Sequence, residues 1–142
     1  SFPTRRSSDL DLTLLLVKAL SNTKTRLIAI GGAGSLYVDE DHTVQLNDTP
    51  EFPQEFLVRS KTHAKSDDIL RKFSNVDWTM FTPPPILDAE GPESKDYILG
   101  NENVIVNKEG KPYISYDTFA QILVDEINNH KFGRQRFTAV QN

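Results

Sequence analysis

No cysteine occurs in these 142 residues, which removes disulfides, thiolate nucleophiles and thiolate metal ligands together. That composition fits a reducing compartment, and the cytoplasm is the expected location. Histidine is scarce as well. His42, His63 and His130 stand at no zinc-ligand spacing, so no metal is expected. There is no block of Lys or Arg, and 16 basic against 20 acidic residues leave a net charge of −4, so nucleic acid is not an expected partner. Long apolar runs are missing too. The stretch around Leu14–Val17 is interrupted by Asp9, Asp11 and Lys18 and falls far short of the roughly 20 residues a bilayer demands, so no membrane association is expected. Finally, the phosphate-gripping turn G-x-G-x-x-G occurs nowhere in the chain.

What is present suits one globular domain, with 37% hydrophobic and 25% charged residues. Ser1–Leu10 (SFPTRRSSDL) is similar to the conceptual translation of a sequencing adapter and is expected to be non-native, leaving 11–142 as the natural part. From Leu12, apolar residues at Leu12, Leu15, Leu16, Ala19 and Leu20 follow the spacing of a helix ending near Asn22. Leu27–Ile30 reads as a buried strand that runs directly into Gly31, Gly32, Ala33, Gly34 and Ser35. The residues from Leu36 to Pro53 read as a loop, and Gln54–Phe73 as a helix with Ile69, Leu70 and Phe73 inward. Trp78–Phe81 reads as a second strand, stopped by Pro83, Pro84 and Pro85. Tyr97–Leu99 and Val104–Val106 suggest two short strands. Ser115 is placed to cap a helix with Phe119, Ile122, Leu123 and Ile127 on its core face, and Arg136–Val140 closes the chain as a strand. The alternation is that of an α/β fold with a parallel sheet.

In such sheets ligands bind at the carboxyl ends of strands, where small residues let a cofactor approach the backbone. Two strand mouths, Gly31–Ser35 and Thr82–Pro85, would meet if their strands are neighbours and would then outline a pocket. A glycine turn made for positive φ and a plain proline terminator are the competing readings. His63, on the helix between the two strands, has the near-neutral chemistry of a general acid. Lys61 and Lys65 flank it and offer charge to a phosphate, or simply to solvent. Asp39, Asp41 and Asp48 read as loop solvation, and His42 and His130 as surface residues.

RLIAIGGAGSL (26–36), NDTPEFPQEF (47–56), VDWTMFTPP (76–84), YILG (97–100) and the run ISYDTFAQILVDEI through RQRFT resemble the carboxy-terminal part of NmrA-like, atypical short-chain dehydrogenase/reductase proteins, often described as NADH-flavin reductases. The resemblance covers about Asp11 to the end. It implies a partial Rossmann-like, doubly wound parallel sheet without the amino-terminal βαβ units that hold the pyrophosphate. It implies NADP or NAD as cofactor and a flavin- or quinone-like small-molecule acceptor, with Gly31–Ser35 near the nicotinamide ribose and Thr82, Pro83 and Pro84 along the nicotinamide face. Ser35 and His63 are the expected catalytic pair, Ser35 bonding near the nicotinamide and His63 donating to the acceptor. The Tyr-x-x-x-Lys pair of ordinary short-chain dehydrogenases is absent, which disfavours alcohol dehydrogenation. A non-enzymatic dinucleotide sensor fits the same departure. The polypeptide by itself is expected to be inactive, with oligomeric state left open.

Overall fold

The computed structural model describes residues 5–142, with side chains from residue 12 onward, so the expectation for Ser1–Leu10 falls outside what side-chain contacts can address. Among the described residues three α-helices and six strands are formed. They are α1 (Arg5–Leu20), β1 (Arg26–Ile30), α2 (Gln54–Arg71), β2 (Asp77–Thr82), β3 (Ile86–Asp88), β4 (Tyr97–Gly100), β5 (Tyr113–Ser115), α3 (Tyr116–Asn129) and β6 (Arg136–Gln141).

The main sheet has the order β1-β2-β6-β4. β1, β2 and β6 are parallel, with Ile30 opposite Phe81 and Phe81 opposite Phe137, and β4 runs antiparallel to β6. β2 and β6 are the interior strands and are buried along nearly their whole length, the expected state of sheet strands covered on both faces. Side chains alternate between faces along a strand. Trp78 and Met80 therefore pack with Val17 of α1 and Leu70 of α2, while Phe81 turns the other way to join Ile114, Phe137 and Ile122 of α3. The result is three layers, with α1 and α2 on one face and α3 on the other. Stacked rings hold the α3 side, Phe81 lying 3.9 Å from Phe119 and 4.2 Å from Phe137 between centroids. Such a buried side chain contributes roughly 1.5–3 kcal/mol.

Several expectations change in detail. α1 begins at Arg5 rather than Leu12, and its buried anchor is Val17, whereas Leu12 and Leu15 stay largely exposed. Val104–Val106 does not pair as a strand; Val104 N–H is taken by the Tyr37 carbonyl at 2.9 Å, and β4 pairs with β6 instead. β3 and β5 form a separate parallel pair that local sequence gave no sign of, because the two segments meet only through tertiary folding. The α3 cap is as expected, with Thr118 N–H donating to Ser115 Oγ at 3.2 Å. Ile127 is exposed, however, and Glu126 is buried in its place. Its carboxylate pairs with Arg26 and accepts from the N–H groups of Lys131 (3.1 Å) and Phe132 (3.0 Å). Burial opposes ionisation of Glu126, but these donors outweigh it and hold the carboxyl below its ordinary range.

Candidate functional site

The two strand mouths are neighbours. The Gly31 N–H extends the β1–β2 ladder by donating to the Phe81 carbonyl at 2.9 Å, and a Cβ on Gly31 would overlap Thr82 Oγ1. None of the three glycines in Gly31–Gly34 has positive φ. A Cβ on Gly32 would make only ordinary contact with His63, 3.5 Å away, whereas Gly31 and Gly34 are there for close approach, not for turn geometry. Gly34 shows this best, since a Cβ there would overlap Ser60 Oγ and lie 3.2 Å from Phe52 Cζ.

In front of this loop opens a cleft of about 640 Å³, within the range of small-molecule sites. Gly32, Ala33 and Gly34 form one rim. The opposing wall belongs to α2 and the residues just before it. Phe52 leads in, and Phe56, Arg59, Ser60 and His63 follow at helical i, i+3, i+4 and i+7 spacing, which places them on one face. Leu46, Pro85, Val104 and Pro112 complete a mostly apolar lining.

The expected residues divide. Gly32, Ala33, Gly34 and His63 line the cleft. Ser35 does not. Its hydroxyl is buried behind the rim, where it accepts from Arg136 Nη1 at 2.6 Å and lies 3.1 Å from Asp67 Oδ2 and 3.0 Å from the Gly32 carbonyl. Gly31 packs on Thr82 instead of facing the opening. Thr82, Pro83 and Pro84 are buried, and Pro85 is the member of that tract in the lining. Thr82 Oγ1 is a buried hydroxyl without a hydrogen-bond partner among the described residues. Lys61 is engaged by Asp48 and by Asn47 Oδ1 at 3.0 Å, so it is not free for a phosphate. Asp48 is correspondingly held below the usual carboxylate range, chiefly by that Lys61 bond.

Behind the rim lies a buried polar network. Arg136, at the start of β6, is 2% exposed. It donates to Ser35 Oγ, to the Ser35 carbonyl at 3.0 Å and to Glu102 Oε2 at 3.0 Å, and its Nη1 is 3.8 Å from Asp67. Glu102 is held again by Arg71 at 2.9 Å. Burial pushes the Asp67 carboxyl up to about 6, against the opposing pull of Arg136 and Ser35. Sequence reasoning did not find Arg136 or Asp67. It also missed Phe52, Phe56 and Arg59, although the helical spacing of Phe56, Arg59 and Ser60 with His63 was available as a signal.

A mostly parallel sheet between helices, with a cleft over a glycine-rich strand mouth, defines a Rossmann-like α/β architecture. No protein-family model matches the chain. It is 40% identical over 126 residues to the Bacillus subtilis protein YwnB, a match that takes in 88% of this chain and 59% of that relative's length. A Streptococcus pneumoniae protein, provisionally named an NADH-flavin reductase, is 35% identical and superposes over 100% of this chain and 70% of its own with a TM-score of 0.89. A Veillonella parvula short-chain dehydrogenase/reductase in complex with NADP shares the fold over 93% of this chain and 58% of its own, at a TM-score of 0.65 and 19% identity. The chain belongs to the NmrA-like, atypical short-chain dehydrogenase/reductase family. Among the described residues no helix is long and apolar enough to cross a membrane, and no cluster of three or more potential metal ligands occurs.

Proposed function

We propose that this chain carries the acceptor side of an NAD(P)H-dependent reductase whose acceptor is a flat conjugated molecule such as a flavin or quinone. The observation that carries the reading is the convergence, on one cleft, of a bare glycine rim, apolar and aromatic walls and a single imidazole. The residues fit a nicotinamide at the rim, since Gly32 presents backbone without a side chain and the orphaned Thr82 hydroxyl sits at the same pair of strand mouths. A bound reduced nicotinamide supplies the hydride. The chain's own groups do the rest. Gly32–Gly34 would hold the nicotinamide, Phe52 and Phe56 exclude water and align the acceptor, and His63 delivers a proton to it. Ser35, locked into the Arg136 network, acts from behind by fixing the rim.

The test is the loss of NADPH or NADH absorbance with a flavin or a naphthoquinone as acceptor, measured for this chain and for the full-length product of its gene. Oxidation is expected with the full-length product. His63→Ala is expected to lower kcat by about 100-fold or more while moving the KM for the nicotinamide little. Unchanged turnover in that variant removes the role given to His63. Nicotinamide binding without oxidation of any acceptor replaces the reductase with a dinucleotide sensor.

A further inference from the structure

Arg59 faces the cleft one helical turn before His63 and has no work in the reduction just described. It lines both the cleft and an adjoining hollow of about 350 Å³ between α1, α2 and β1. The other arginines with described side chains are all bonded. Arg26 pairs with Glu126, Arg71 and Arg136 with Glu102, and Arg134 donates to the Val76 carbonyl at 3.2 Å. Among the described residues Arg59 makes no hydrogen bond or ion pair.

The neighbouring acids form no ion pair with it; Glu55, four residues earlier on α2, lies on the same side of the helix but is not bonded to it. Lys61 is turned to Asp48. Asp67, the carboxylate in the adjoining hollow, is taken by Ser35 and Arg136. Glu51 is the acid in the cleft lining, but it precedes α2, whereas Arg59 lies five residues beyond the first helical residue, Gln54. At the rise of an α-helix those five residues alone are about 8 Å along its axis. The mostly apolar cleft therefore carries charge at two separated points, an acid just before α2 and a cation beside the imidazole. Between them stand Phe52 and Phe56. A guanidinium presents a fixed fork of donors that matches a carboxylate, phosphate or sulfonate, and an apolar surround strengthens that match.

We infer that Arg59 makes this cleft selective for a flat ring system bearing an anionic tail, with the ring against Phe52 and Phe56 and the anion on the guanidinium. The inference rests on the acceptor reading above for the ring and adds the charge. Riboflavin and FMN share the ring and differ by one terminal phosphate, so they separate the two. Both are titrated into this chain at low salt, without nicotinamide, following quenching of flavin fluorescence. FMN is expected to bind about five- to tenfold more tightly than riboflavin, a preference that shrinks as salt is raised. Arg59→Gln is expected to bring the ratio of the two affinities close to one, and Arg59→Lys to retain part of the preference. Circular dichroism checks that both variants are folded, which the exposed, unbonded position of Arg59 favours. Equal binding of the two flavins by the wild type, or a preference that survives Arg59→Gln, overturns the inference and leaves the reductase reading standing. If neither flavin binds, the flat-acceptor reading of the cleft falls with it.

Discussion

The two sides of the Gly31–Ser35 loop are built on opposite principles. Behind it, Ser35, Asp67, Arg136, Glu102 and Arg71 are joined by hydrogen bonds and ion pairs, with Arg136 nearly inaccessible. In front of it, the cleft has aromatic and proline walls, and its two nitrogen-bearing side chains, Arg59 and His63, make no bond to protein among the described residues. The difference teaches where polar groups are spent. A buried guanidinium without partners would be prohibitively unstable, so Arg136 is held by protein through both terminal nitrogens, its buried Nε making no hydrogen bond among the described residues, and it serves position. An exposed cation at a cleft survives unpaired because water satisfies it, and it remains available to a ligand.

This contrast is best broken from behind. Arg136→Leu leaves Asp67 and Glu102 without their central cation and is expected to cost about 3–5 kcal/mol of stability by urea denaturation. A loss below about 1 kcal/mol would mean that the network does not hold the loop.

The pH dependence of Asp67 comes next in size. Its carboxyl is raised from 3.8 to about 6 by burial. Between those values the folded chain keeps the proton while the unfolded chain has released it. Its contribution to stability is thus fully present below about pH 4 and is lost as pH rises through about 6, opposite to an ordinary salt-bridged carboxylate. Asp67→Asn is expected to remove that loss, so the melting temperature of the variant relative to wild type should climb between pH 4 and 7, by an equivalent of at most about 3 kcal/mol. A flat difference across that window would place Asp67 ionised throughout.

Gly34 is the seam between the two sides. Gly34→Ala forces a Cβ into Ser60 Oγ and against Phe52, and Ser60 is itself held by Asn47 Nδ2 at 3.0 Å. A loss of about 1–3 kcal/mol is expected, together with weaker flavin binding, since the displaced residues line the cleft. Stability at the wild-type level would show that the loop yields freely. Smallest of all is a change at the front. Phe56 is 50% exposed, and Phe56→Ala is expected to shift stability by no more than about 1 kcal/mol while weakening flavin binding. A large destabilisation there would make the front wall part of the core and erase the contrast.

Much of the fold and part of the site were legible in the sequence. β1, β2 and β6 were recognisable as short β-prone runs, and the α3 cap was marked by Ser115. The glycine rim and His63 were visible as residue types that need a reason. The reason assigned to the glycines was incomplete, because the constraint on Gly31 and Gly34 comes from Thr82 and Ser60, which lie far along the chain. The same distance hid Arg136, which is separated from Ser35 by 101 residues. Its charge reads as a solvated strand end until the fold closes over it. Ile127 and Glu126 exchanged their expected places for a related reason. An apolar residue is free to face water, whereas Glu126 finds a cation in Arg26, across the fold, and the two N–H groups of the turn after α3.

By itself, then, the amino-acid sequence determined the type of the longer elements, the family and the presence of a glycine-rich strand mouth, because these depend on local periodicity, propensity and short contiguous motifs. Only the tertiary structure decided which side of that mouth each polar residue serves. Ser35 and Arg136 turn inward and Arg59 and His63 turn outward, since burial and partner choice are set by elements brought together from across the chain.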